Sequence, residues 1–172
     1  MHVLDVIDED FVNYREPSMT ISMPYCDFKC DKDAGKPVCQ NRNLTSLPIL
    51  NIHTSTIIAR YVNNPITKAI TFQGLEPFYV DRTQNKDSYT ELLNFIRVLR
   101  STYSVKDPVI IFTGYSEDEC NNQGFLTPFI TNDHLNNVVV KFGRYIPDQE
   151  PHLDPVLGVK LSSDNQYAKY IS

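Results

Sequence analysis

Cys26, Cys30 and Cys39 stand close together in the chain, with the spacing Cys-x3-Cys-x8-Cys. Thiolates are the usual protein ligands of iron–sulfur clusters, and one short loop can bring several of them onto a single cubane. Three such ligands leave one iron of a [4Fe–4S] cluster open, and an open position is what substrate chemistry at a metal requires. Two other readings use the same residues. A structural zinc would take the three cysteines with His53 as fourth ligand, and unrelated thiols would take no metal. The fourth cysteine, Cys120, is expected in a short helix as a packed thiol.

The elements around these residues follow from periodicity and punctuation. Strands are expected at 3–7 and 18–23, the second leading straight into Cys26. Residues 24–51, interrupted by Pro24, Gly35, Pro37 and Pro48, read as one irregular loop. Loops of that length inside a domain are usually functional or disordered. Thr54 can cap a helix running to about Val62, and 69–73 is a strand. Ser88 with Glu91 reads as a capping box, opening a helix over 89–102 whose Leu92, Leu93, Phe95, Ile96 and Leu99 recur at helical spacing. Residues 109–113 form an apolar strand of the kind buried on both faces. Ser116 with Glu119 makes a second capping box, 137–142 is a further strand, and the C-terminal stretch around Pro147, Pro151 and Pro155 is loop-rich.

Strands alternating with helices imply an α/β fold with βαβ units and a mostly parallel sheet, here as a single domain over residues 1–172. Such sheets bind ligands beyond the carboxyl ends of their strands. Cys26, Gly74–Glu76, Thr113–Tyr115 and Lys141–Arg144 are therefore expected along one rim.

Composition narrows the classes. A chain of 172 residues can bury a core that needs no disulfide staple. Its net charge of −5 leaves no electrostatic footprint for nucleic acid or an anionic membrane. No apolar run approaches the roughly 20 residues of a membrane span, and the first residues carry no secretory pattern. The expected location is cytoplasmic. In that reducing compartment four cysteines point to metal or redox chemistry.

Several segments resemble those of a known superfamily. Tyr25-Cys26-Asp27-Phe28-Lys29-Cys30 resembles the first half of the radical S-adenosylmethionine (SAM) signature. Gln73-Gly74-Leu75-Glu76-Pro77 is similar to its Gly-Gly-Glu-Pro segment. Ile111–Tyr115, Gly143–Tyr145 and Ser163–Gln166 resemble, in the same order, segments of the anaerobic ribonucleotide reductase activating proteins. The chain departs from that pattern in four places. Eight residues, not two, separate the second and third cysteines. Leu75 stands for the second glycine, Asn13–Pro17 for an Asn-Gly-Pro-Gly turn, and Lys141-Phe142 for a local aspartate.

The resemblance implies an incomplete (β/α) barrel with an open, curved, mainly parallel sheet. It implies a radical SAM oxidoreductase with a [4Fe–4S] cluster on Cys26, Cys30 and Cys39, whose free iron chelates SAM. Glu76 and the Gly74 carbonyl would receive the methionine ammonium, and Val38 would pack on adenine. Leu75, Thr113 and Lys141 complete the expected SAM-binding set by their place on the rim. The implied partners are a large glycyl radical enzyme, such as an anaerobic ribonucleotide reductase, and an electron donor such as flavodoxin or ferredoxin. A small-molecule substrate is the alternative within this chemistry, and a non-catalytic iron–sulfur or zinc module the alternative outside it.

Overall fold

Six strands lie side by side in chain order in the computed structural model, which describes all 172 residues. They are β1 (Asp5–Asp10), β2 (Ser18–Met23), β3 (Ala69–Gly74), β4 (Val109–Phe112), β5 (Val138–Phe142) and β6 (Tyr167–Tyr170). β2 to β5 run parallel, while β1 and β6 add antiparallel edges. The sheet is mixed α/β in setting, parallel at its centre, and not closed.

Five helices punctuate the chain: α1 (Lys29–Ala34), α2 (Thr54–Val62), α3 (Ser88–Ser101), α4 (Glu117–Asn122) and α5 (Thr127–Thr131). Each parallel step to the next strand passes through helix, and such crossovers share one hand. That rule puts the helices on one face. The apolar alternation agrees: Met19, Ile21, Ile70, Phe72, Val109, Ile111, Val138 and Val140 pack in one cluster with Ile57, Ile58, Leu92, Phe95, Ile96 and Leu99. The intervening positions Ala69, Ile110, Val139 and Ala168 face the other way, against Tyr14, Leu157 and Leu161. A C-terminal strap therefore covers the face that carries no helix.

That second face is polar towards its carboxyl end. The register aligns Ser22 with Gln73, and Phe112 with Lys141, as one row across the strands. Thr20 and Thr71 lie on the same face and share a 2.7 Å hydrogen bond.

Local details differ from the sequence expectation for identifiable reasons. The first strand is interrupted at Leu4: His2–Val3 pairs with Leu50–Asn51, and the sheet strand runs on to Asp10. Helix α3 is capped by Asp87, whose carboxylate accepts from the Thr90 backbone N–H and hydroxyl, both at 2.7 Å. Ser88 is its first helical residue, and Glu91 turns instead to the His2 backbone N–H and Nδ1. The box at Ser116 and Glu119 forms with both of its bonds. The stretch 24–51 contains α1 and a 3-10 turn over Arg42–Ser46. β6 lies in the stretch expected as loop, paired along β5.

Candidate functional site

Gly74 turns the chain off the end of β3 with φ +88°, a left-handed conformation that favours glycine. A Cβ there would stand 3.1 Å from the Met23 nitrogen and from the Ser22 Cα and Cβ. Leu75, by contrast, carries no positive φ, so its side chain is accommodated and buried. The backbone N–H groups of Leu75 and Glu76 donate to the carbonyls of Met23 and Tyr25. The rim of β3 is thereby laced to the start of the cysteine loop. Gly74→Ala is expected to cost at least about 2 kcal/mol from the left-handed backbone alone. Thermal unfolding should show this as a midpoint roughly 4–8 °C lower.

Glu76 is 6% exposed, and both of its carboxylate oxygens are bonded. Its Oε1 accepts from the Phe78 N–H at 3.0 Å and the Thr113 hydroxyl at 2.7 Å. Its Oε2 accepts only from the Gly114 N–H, at 2.9 Å, and so retains acceptor capacity. Burial pushes this carboxyl up to about 7, against the pull of those three donors. Thr113 thus serves by orienting Glu76, joining the ends of β3 and β4.

The cysteine loop has its own organiser, which the sequence did not single out. Asp31, buried, accepts from the backbone N–H groups of Val38 at 2.7 Å and Cys39 at 2.8 Å, and pairs with Arg42. Those bonds hold its carboxyl below the usual range, the Val38 N–H foremost. Gly35 ends α1 in the left-handed conformation, and Asp31 then draws Cys39 back towards the helix that carries Cys30. The eight-residue gap is a helical turn plus a return. Asn41 completes it by donating to the Gly74 carbonyl at 2.6 Å, so that carbonyl already holds a protein donor.

Burial pushes the Cys26 thiol up to about 12. Burial, and then the neighbouring Cys39 thiol, raise Cys30 to about 11. In the metal-free chain these groups are protonated at neutral pH, and a metal would displace the protons.

Cys26, Cys30, Cys39, Gly74, Leu75, Glu76, Thr113 and Lys141 all line one cavity of about 350 Å³. Further walls come from the β5 end, from Val12 and Asn13 after β1, and from the strap, including Lys160, Leu161 and Gln166. Val38 does not line it; its backbone N–H is held by Asp31 on the loop's own side. Lys141 is 7% exposed, and its ammonium donates to the Gly143 carbonyl at 2.7 Å, leaving two donors unspent. Burial lowers Lys141 to about 8, which the charge of Glu76 opposes. Gln166 anchors the strap: its Oε1 accepts from Ser162 and Ser163 and its Nε2 donates to Gly143.

Two residues lie elsewhere. His53 sits exposed at the start of α2, within 2.7 Å of the Ser55 hydroxyl, and Cys120 is buried in α4 within the apolar core. No three His, Cys, Asp or Glu side chains gather closely enough to grip one ion. No helix is long and apolar enough to cross a membrane. Compared with family models, characterised proteins and solved structures, the chain matches none.

Proposed function

We propose that this chain is a cytoplasmic radical SAM protein built on an incomplete (β/α) barrel, and that it activates a glycyl radical enzyme such as an anaerobic ribonucleotide reductase. The observation that carries this reading is the convergence of Cys26, Cys30, Cys39 and Glu76 on one cavity at the carboxyl ends of parallel strands. The donor set fits a cubane better than a single zinc. A closed zinc site would need a fourth protein ligand, and His53 lies exposed at the start of α2 and does not line the cavity that the three cysteines share.

In this reading Cys26, Cys30 and Cys39 hold the [4Fe–4S] cluster. When bound, it supplies the electron that breaks the SAM sulfonium into methionine and a 5′-deoxyadenosyl radical. The protein's part is to bind, orient and shield. Glu76 Oε2 offers the methionine ammonium a fixed acceptor that is already aligned by Gly114. The spare Lys141 donors suit its carboxylate. The strap, half-buried Gln73 and Phe112, and buried Lys141 keep bulk water from the reacting end.

A cavity of about 350 Å³ is at the small end for ligand sites and leaves no room for a further substrate beside the cluster and SAM. A second substrate must then be presented through the mouth, which favours a protein partner. Val12, 75% exposed, stands at that mouth beside exposed Phe11. Their loop is held by Asp10, which accepts from the Val12 and Asn13 N–H groups, the Asn13 amide and the Thr20 hydroxyl. An electron donor such as flavodoxin or ferredoxin completes the proposal.

The test is anaerobic reconstitution, reduction with dithionite, and chromatography of nucleoside products. SAM is expected to yield 5′-deoxyadenosine and methionine slowly, without added substrate. A reducible cluster that binds SAM yet gives no 5′-deoxyadenosine, even with a candidate partner added, would leave a binding module in place of an enzyme.

A further inference from the structure

The enlarged gap between the second and third cysteines places Cys30 on α1, a helix too short to hold itself in place. Asp31 secures the return of the loop, but it does not tie α1 to the strand ends. The side chains on either side of Cys30 do. Lys29 Nζ pairs with Asp33 at 2.8 Å and lies 3.8 Å from Glu119 Oε1. Arg144, just beyond β5, closes the ring. Its Nε lies 3.2 Å from Asp33 Oδ2, and its terminal nitrogen donates to Glu119 Oε1 at 2.8 Å.

Four charges of alternating sign therefore join three segments. The two segments other than α1 are fixed independently on their far sides. Glu119 Oε2 accepts from the Ser116 N–H in the α4 capping box. The Arg144 carbonyl accepts from the Asn165 amide of the strap at 3.0 Å, and its guanidinium lies 5.8 Å from the Tyr115 ring centroid. Ion pairs in open water contribute little. The Arg144 side chain is only 16% exposed, however, and it divides its fork between two carboxylates. Without it, Asp33 and Glu119 would share Lys29 alone.

We propose that Arg144 is a positioning residue: acting through Asp33, it sets where Cys30 stands relative to the Glu76 rim. What the loop is positioned for rests on the radical SAM reading; the link itself does not. Lysine is a poor substitute, because a single ammonium cannot present a planar fork to two carboxylates.

The experiment uses the full chain as wild type, Arg144→Met, Asp33→Asn, the double variant and Arg144→Lys. In the metal-free chain, mass spectrometry follows alkylation of each cysteine by iodoacetamide. Arg144→Met is expected to speed alkylation of Cys30 about fivefold, the effect of roughly 1 kcal/mol of lost restraint, with Cys120 unchanged. Asp33→Asn should do the same, and the double variant should be no faster than either single one, since both break one link. Arg144→Lys should fall between. In the reconstituted chain, iron content should stay at the wild-type level while SAM affinity drops about tenfold.

Equal Cys30 rates in wild type and Arg144→Met would overturn the proposal. So would additive effects in the double variant, or a lower unfolding midpoint with an unchanged SAM titration. If wild type itself gives no SAM response, the functional reading fails, and the alkylation series still decides the link.

Discussion

Cys30→Ala is expected to leave the reconstituted protein with almost no iron or sulfide, where the wild type should hold about four of each per chain. Cys26→Ala and Cys39→Ala should behave alike, and Cys120→Ala should retain the full cluster. The first three thiols line the cavity, while Cys120 is buried in the core cluster that also holds Phe129 and Leu126. With only three ligands there is no spare thiolate to take over a lost one. Iron and acid-labile sulfide assays, with visible absorption of the same samples, decide the matter. A Cys120→Ala chain that loses iron as fully as Cys30→Ala would show that the ligand set is wrong.

The second large effect is expected at Glu76. In Glu76→Gln the amide oxygen can still serve Phe78 and Thr113, but the amide nitrogen then faces the Gly114 N–H, donor against donor. Leaving that half-buried N–H unpaired costs about 1 kcal/mol, the low end for a lost partner. The same nitrogen would face the ligand's ammonium. A charge-assisted bond worth roughly 1.5–3 kcal/mol is lost there, so SAM should bind about one to two decades more weakly. Iron content should not change, because Glu76 lies outside the cysteine loop. Normal SAM affinity in a fully loaded variant would remove Glu76 from the binding site.

Glu76 also gives the fold a pH signature. Burial raises its carboxyl to about 7, so the native state holds the proton more tightly than the unfolded chain does. Its contribution is complete below the unfolded value of about 4.3 and is lost as pH rises through about 7. The Gln variant cannot titrate, and its unfolding free energy should be flatter across that window. A wild-type slope retained in Glu76→Gln would assign the titration to another group.

Much of the scaffold was legible because period and composition agree with the fold. The apolar run at Val109–Phe112 and the helical spacing of Leu92, Phe95, Ile96 and Leu99 mark elements whose burial decides their structure. The rim was legible for the same reason, since strand ends follow once strands are placed. What escaped is what depends on side chains bonding across the chain. Asp31 looks like any other loop carboxylate until its two backbone partners are seen. Asp87 takes the cap because its carboxylate reaches the Thr90 N–H, while Ser88 is already the first helical residue. β6 carries the exposed Tyr167 and Tyr170 on an edge, where alternation is weak and Pro147, Pro151 and Pro155 dominate the local signal. Val38 stays out of the cavity because the backbone on its side of the loop is already committed.

The strand order carries a consequence for assembly. Neighbours in this sheet are also neighbours in the chain, so each new strand can dock on a surface that has already been made. Pairings of this kind close modest loops and favour growth from one end during synthesis. The strap and β6 come after all four parallel strands, and with Tyr14 they wall off the helix-free face. Until they arrive, the three thiols and the Glu76 rim stand beside an open trough. In the radical SAM reading this interval is when a cluster would be loaded, and it ends when Gln166 and Asp154 fasten the last segment down.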